Sequence, residues 1–248
     1  MILNLAAYQF APVADPDALA AQAREAAEAG ALRGTILVAD EGINLFLAGE
    51  ETQVHAFLAW LRAAPHFAGI TAKFSRSRTQ PFARLRVKVK PEIISFRREG
   101  VVPSGGRAPA VAPAVLAQWI AQGHDDRGRR LVLLDTRNRQ EIAYGSFTGA
   151  LTLPIERFTD FPAAVTAQRE ALADATVVSF CTGGIRCEKA ALWMRAEGWD
   201  NVLQLDGGIL GYFEQVGGYG YAGRCFVFDE RVALDPQLAP LAEDTSAR

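Results

Sequence analysis

Cys181 sits where a cysteine is readily turned into a nucleophile. The residues before it, Thr176-Val177-Val178-Ser179-Phe180, are apolar and β-branched, and those after its loop, Ala190-Ala191-Leu192-Trp193-Met194-Arg195, are amphipathic. Strand, tight loop, helix is therefore the predicted order around Cys181-Thr182-Gly183-Gly184-Ile185-Arg186-Cys187-Glu188-Lys189. In such a turn the sulfur faces the backbone N–H groups of the loop and the positive end of the helix dipole, and both favour thiolate over thiol. Gly183 and Gly184 are expected to let the backbone curl without Cβ clashes, and Arg186 to return a fixed positive charge toward the sulfur. Cys181 and Arg186 are thus the candidate catalytic residues, with Thr182, Gly183, Gly184, Ile185 and Cys187 as the active-site loop. A cysteine that only fills a core needs neither two glycines nor an arginine at these offsets.

Cys187 has two readings: it resolves an oxidised Cys181, or it packs inward at the start of the helix. Cys225, in the apolar run Cys225-Phe226-Val227-Phe228, reads as core. Three cysteines with no disulfide-framework spacing fit a reducing cytoplasm. His55, His66 and His124 lie far apart in sequence and near no cysteine, so no metal site is expected; nor does a glycine-rich dinucleotide or P-loop pattern point to a cofactor. No stretch approaches the apolar length a bilayer requires, the N-terminus has no basic region followed by a hydrophobic run, and a net charge of −2 gives no global attraction to nucleic acid or membrane.

The elements that position the loop begin far upstream. Strand Leu3 to Phe10, helix Asp15 to Ala29 with Pro16 in its first turn, strand Gly34 to Ala39, a turn at Asp40-Glu41-Gly42, strand Asn44 to Ala48, helix Glu51 to Ala63 and strand Ile70 to Ser75 are predicted in turn. This β-α-β-β-α-β order is that of a ferredoxin- or acylphosphatase-like sandwich, placed at residues 1–92. A further strand, Arg84 to Lys90, alternates strictly, with Leu85, Val87 and Val89 on one face and Arg84, Arg86, Lys88 and Lys90 on the other. Proline and glycine (Pro103, Gly105, Gly106, Pro109) mark residues 93–112 as a linker.

Residues 113–218 alternate helices with strands and predict a parallel α/β sheet. They comprise helix Pro113 to Gln122, strand Leu131 to Asp135, helix Asn138 to Ala143, strand Ala150 to Leu153, helix Phe161 to Leu172, the strand before Cys181, strand Val202 to Leu205 and a turn at Asp206-Gly207-Gly208. The cysteine loop falls at the carboxyl end of a strand, where such sheets place their sites, and Gly207 or Gly208 is expected to let the backbone approach it. Asp135 and Arg137 read as ties between loops, Glu41 and Asn44 as a turn or a substrate contact, and residues 219–248 as a tail.

Cysteine, four residues, arginine resembles the loop of the rhodanese superfamily; cysteine-dependent phosphatases use one residue more to encircle a phosphate. Asp135-Thr136-Arg137-Asn138, Glu141, Gly145, Gly149-Ala150 and Leu205-Asp206-Gly207-Gly208-Ile209 resemble the opening and close of a rhodanese domain. The run 181–190, Glu41-Gly42-Ile43-Asn44 and Phe226-Val227-Phe228-Asp229-Glu230-Arg231 together resemble the rhodanese-domain tRNA uridine hydroxylases. That resemblance implies hydroxylation of the wobble uridine of tRNA to 5-hydroxyuridine, with molecular oxygen as co-substrate; the residues show no evident cofactor site, and the cysteine usage places the enzyme in the cytoplasm. Two departures stand out: no cysteine-rich extension follows Cys225, and Ser146 stands where many rhodaneses have histidine.

In a cofactor-free route the Cys181 thiolate adds to C6 of uracil and leaves electron density at C5 for oxygen; alternatively Cys181 works as a persulfide or oxidised sulfur. A persulfide sulfurtransferase needs the same Cys181 and Arg186 but no tRNA, and a non-catalytic rhodanese-like adaptor needs no nucleophile. Nine basic residues against the single acid Glu92 between Lys73 and Arg98 form either a charged solvent edge or a phosphate-binding strip. The resemblance favours tRNA on Arg84, Arg86, Lys88 and Lys90.

Overall fold

Alternating apolar residues build the first sheet. Strands β1 (Ile2–Phe10), β2 (Arg33–Ala39), β3 (Gly42–Gly49), β4 (Ala72–Ser77) and β5 (Leu85–Val89) are ordered β4-β1-β3-β2-β5, antiparallel throughout except for the β2–β5 pair. Helices α1 (Pro16–Ala29) and α2 (Glu51–Arg62) lay Ala20, Ala23 and Ala27, and Val54, Phe57, Leu58 and Leu61, into one core with Leu5, Ile36, Leu45 and Leu47. Alanine at three consecutive contact positions permits close packing of α1, and Asp15 caps it through a 2.9 Å bond from Ala18 N–H. The computed structural model describes residues 1–98, 101, 103 and 106–241; Gly105 of the expected linker and residues 242–248 of the expected tail lie outside the described residues.

The first compact unit is Met1–Ser95 together with Phe228–Val232 and, among the described residues, 239–241. Within it Glu41 and Asn44 hold one main-chain residue from both sides: Ile93 N–H donates to Glu41 Oε1 (2.8 Å), and Asn44 Nδ2 donates to Ile93 O (3.2 Å). The Arg231 guanidinium pairs with Asp229 (2.6 Å) and donates to Ser75 Oγ (2.6 Å).

The second unit, Phe96–Val227 with Ala233–Leu238, is built on a parallel sheet ordered β6-β11-β10-β7-β9. Its strands are β6 (Ala110–Val111), β7 (Arg130–Asp135), β9 (Leu151–Thr152), β10 (Ala175–Phe180) and β11 (Val202–Leu205). Short ribbons β8 (Gly145–Phe147) with β12 (Tyr221–Gly223), and β13 (Cys225–Phe226) with β14 (Ala233–Leu234), accompany it. Its helices are α3 (Pro113–Gln122), α4 (Arg139–Ile142), α5 (Phe161–Thr166), α6 (Arg169–Leu172), α7 (Ile185–Ala196) and α8 (Gly208–Val216). Every residue of the central strand β10 is buried, as its unbroken apolar and small-residue sequence requires.

Several expectations need correction. The helix expected from Phe161 to Leu172 is two helices separated at Ala167-Gln168. The expected linker contains β6, and the expected tail contains β12, β13 and β14, each two or three residues long; β6 and β12 are held by distant partners, β11 and β8, while β13 and β14 pair with each other. The turn at Asp206-Gly207-Gly208 opens a helix, α8, because both glycines adopt left-handed φ and reverse the chain into it.

Candidate active site

Cys181 follows the last residue of β10, and the loop Thr182–Gly184 delivers the chain into α7. Gly184, with φ +108°, makes the reversal that a Cβ would resist. Gly183 differs from expectation: its φ is not left-handed and a Cβ there would meet nothing within 4 Å, so chain reversal requires Gly184 but not Gly183. Gly184 N–H donates to Cys181 Sγ at 3.1 Å. Two further N–H groups, from Ile209 and Leu210 in the first turn of α8, donate to the carbonyls of Cys181 (2.9 Å) and Thr182 (3.0 Å). With its carbonyls turned away in this manner, the loop presents donors to the sulfur. Gly208 permits the approach: a Cβ on it would lie 2.5 Å from Cys181 O and 2.7 Å from Gly184 N.

Arg186 lies on the first turn of α7, buried, and both of its terminal nitrogens reach Glu141 (2.5 and 2.7 Å). Glu141 comes from α4, accepts Asn138 N–H at 3.1 Å, and receives the Thr182 hydroxyl at 3.4 Å. Burial opposes its ionisation, but the charge and hydrogen bonds of Arg186 hold the carboxyl below the usual range. The arginine is thus fixed by a carboxylate rather than by the sulfur. Beneath it Asp135 and Arg137, both fully buried, pair at 2.6 Å; Arg137 also donates to Gly145 O (2.7 Å), and Ser146 donates to Asp135 (2.8 Å). This second pair ties β7 to β8 and has no bond to the loop sulfur.

The two loop thiols lie 3.9 Å apart and both are buried. Cys187 also donates to Gly184 O at 2.9 Å, so its single proton has two acceptors in reach. A thiolate at Cys181 draws that proton, because an anionic acceptor binds a donor more strongly than a carbonyl. Burial pushes the Cys181 thiol up. The Cys187 thiol, the Arg186 charge and the N–H groups of Cys187 and Gly184 more than reverse this and hold it at about 5. Burial and the neighbouring Cys181 raise Cys187 well above the ordinary range, and burial pushes Cys225 up to about 12. Of the three thiols, only that of Cys181 is shifted toward the thiolate.

That assignment fixes a pH dependence. A free cysteine titrates near about 8.5, so the Cys181 thiolate stabilises the fold fully above that value, and the contribution is lost as pH falls through about 5. Between these values the thiolate absorbance in the ultraviolet reports Cys181 alone. Arg186→Ala is expected to move its midpoint upward, and Glu141→Gln, which keeps the cation and removes the anion, to move it downward. An unmoved midpoint in both variants would leave the loop amides and Cys187 as the whole cause.

The sequence singled out Cys181, Thr182, Gly183, Gly184, Ile185, Arg186 and Cys187, and these share one loop and helix start in the second unit. Arg84, Arg86, Lys88 and Lys90 belong to the first unit, all exposed at its edge strand β5, and none enters an ion pair among the described residues. Glu141 entered the sequence reading only through its place in the rhodanese-like opening signature, and its bonds to Arg186 and Thr182 at the loop were not anticipated. Among the described residues no group of three His, Cys, Asp or Glu side chains gathers as a metal site, and no helix is long and apolar enough to cross a membrane.

Residues 2–93 match the family described as UPF0176 acylphosphatase like domain, and residues 113–215 match the rhodanese-like domain. The chain is 69% identical over 243 residues to the tRNA uridine(34) hydroxylase of Xanthomonas campestris pv. campestris (strain 8004), covering 98% of this chain and 96% of that protein. It is 68% identical over 243 residues to the tRNA uridine(34) hydroxylase of Xanthomonas euvesicatoria pv. vesicatoria (strain 85-10), covering 98% of each. Among solved structures it is similar to the rhodanese-like domain of an Anabaena protein, with TM-score 0.38, 21% identity, and coverage of 46% of this chain and 79% of that one.

Proposed function

The chain belongs to the family of tRNA uridine(34) hydroxylases, and on that footing we propose that it hydroxylates C5 of uridine 34 in tRNA with the Cys181 thiolate as the reacting group. Identity along almost the whole length supports the reaction, and the loop geometry supports the nucleophile. C5 of uracil is a weak carbon nucleophile. Addition of the Cys181 sulfur to C6 breaks the C5–C6 double bond and delocalises the electron pair over C5 and O4, which makes C5 reactive toward oxygen. The Gly184 N–H and the enclosed Arg186 keep the sulfur anionic until the base arrives, and receive no proton in doing so. C5 bonds one oxygen of O2, two external thiols reduce the resulting peroxide to a C5 hydroxyl and water and become a disulfide, and loss of the C5 proton then expels the Cys181 thiolate from C6 and restores the C5–C6 double bond. Cys181 has no exposed surface, so the base reaches it only after a local opening.

The persulfide alternative uses the same loop, since a terminal sulfur on Cys181 accepts the same donors. Mass spectrometry of position-34 nucleosides in tRNA from cells with and without the gene separates the two. Loss of 5-hydroxyuridine with sulfur-containing nucleosides unchanged is the expected result, and the reverse pattern identifies a sulfurtransferase.

The tRNA backbone is held, in this reading, by the exposed cations of β5. Charge reversal at Arg84, Arg86 and Lys88 is expected to weaken tRNA binding and to flatten its salt dependence by up to about one unit of slope per lost phosphate contact. The melting temperature and the Cys181 titration should not move, because these side chains point away from the Leu85 and Val87 core contacts. An unchanged salt slope would reduce β5 to a solvated edge strand.

A further inference from the structure

The first sheet has two faces of different chemistry. Leu5, Leu45, Leu47, Ile36 and Val87 belong to the core under α1 and α2. Side chains alternate along a strand, so their sequence neighbours point the other way. The register lines these neighbours up in rows across the sheet. Ala6 lies opposite Phe46, Phe46 opposite Thr35, and Thr35 beside Arg86. On one side runs the row Asn4, Ala48, Arg33; on the other, Tyr8, Asn44, Leu37, Lys88. Asn4, Asn44 and Ala48 of these rows are buried, so the open part of the face away from the helices runs from Phe46 through Thr35 to Arg33, Arg86 and Lys88.

Phe46 is half-buried and lies outside the core under the helices, while Arg33, Arg86 and Lys88 are exposed. Not one residue in the three rows is an aspartate or glutamate. A lone half-exposed ring is ordinary on a protein surface; a half-exposed ring beside a strip of cations without acids is the combination that suits unpaired RNA. Its bases offer π faces for stacking, and its phosphates offer charge to the flanking cations. A duplex hides the faces of its bases and offers only the charge.

We infer that this face binds an unpaired stretch of the tRNA, with Phe46 stacked on a base and Arg33, Arg86 and Lys88 on the adjoining phosphates. The inference rests on the tRNA reading above and adds the part of the RNA that is held and the contact that holds it. The platform selects the anticodon loop over the stems, which is the selection an enzyme of position 34 needs.

The test uses the full chain, an unmodified anticodon stem-loop RNA and a perfect RNA duplex of the same length. Phe46→Leu keeps an apolar side chain and removes the ring. It is expected to weaken stem-loop binding at least about fivefold, the lower bound for one lost base stack, with duplex binding and the salt slope unchanged. Phe46→Tyr should restore stem-loop affinity. An undiminished stem-loop affinity in a folded Phe46→Leu protein, or an equal loss for the duplex, overturns the platform and leaves the tRNA reading in place. Failure of the wild-type chain to bind either RNA overturns both. If Phe46→Leu does not fold, ultraviolet crosslinking of the wild-type chain to a stem-loop with 5-bromouridine in its loop decides. Adducts on β1 or β3 are expected, and adducts confined to other elements overturn the inference.

Discussion

Cys181→Ser is expected to abolish formation of 5-hydroxyuridine while the chain stays folded. Serine preserves the shape of the side chain and still accepts the Gly184 N–H bond, so the loop keeps its 3.1 Å contact or one close to it. What disappears is the anion. A hydroxyl does not ionise at neutral pH even beside Arg186, whereas the thiol does so with a pKa of about 5. Loss of the nucleophile should lower turnover by more than about a thousandfold, the scale on which removal of an enzymic nucleophile acts. Circular dichroism, the melting temperature and tRNA affinity should stay close to wild type. Nucleoside mass spectrometry reads the outcome, and undiminished product from a folded Cys181→Ser chain removes the nucleophile from Cys181. Cys187→Ser should be milder, since Cys187 supplies one of several donors to the thiolate.

Gly208→Ala is expected to be nearly as damaging, although residue 208 carries no functional group. The methyl would enter at 2.5 Å from Cys181 O, 2.7 Å from Gly184 N and 2.9 Å from the Gly183 carbonyl carbon, all backbone atoms that cannot swing aside. The left-handed φ of +62° adds its own strain for an L side chain. Together these should destabilise the chain by about 2 kcal/mol or more. They should also break the bonds from Ile209 and Leu210 to the loop, so that the thiolate absorbance of Cys181 shifts to higher pH. Gly149→Ala is the control: its φ of +74° imposes a comparable backbone penalty, but its Cβ would meet nothing within 4 Å. It should cost about 1 kcal/mol and leave the Cys181 titration where it was. Equal effects of the two substitutions would show that the approach of α8 does not hold the loop.

The loop was legible in the sequence because its information is local. An apolar strand, two glycines and an arginine at fixed offsets from a cysteine describe one turn of chain, and the turn is sufficient to place the sulfur among N–H groups. The first sheet was legible for the same reason, since the alternation at Leu85 and Val87 follows from one strand with one side packed on the core; Val89, at the strand's end, is exposed. Glu141 was not. Its partner Arg186 lies 45 residues away, and no spacing rule joins a short helix to the start of a distant one. Strands β6 and β9, two residues each, form because partners already stand in the parallel sheet, so they leave no periodicity to read. Helix α8 was hidden by its own function at the loop: Gly207 and Gly208 look like a turn, and Gly208 is a glycine because Cys181 and Gly184 pass so close to it.

Attack of Cys181 on the uracil ring is tested most directly by trapping it. A tRNA carrying 5-fluorouridine at position 34 can add the thiolate at C6, and in the absence of oxygen C5 takes a proton; the carbon–sulfur bond then breaks only if that proton and the thiolate leave again, and rapid denaturation traps the adduct before they do. The wild-type chain should form a covalent protein–RNA species whose digested peptide carries the nucleotide on Cys181, and Cys181→Ser should form none. Its yield should fall as pH is lowered through about 5, with the thiolate. No adduct from a chain that hydroxylates ordinary tRNA normally, or an adduct on any other residue, would contradict attack by Cys181.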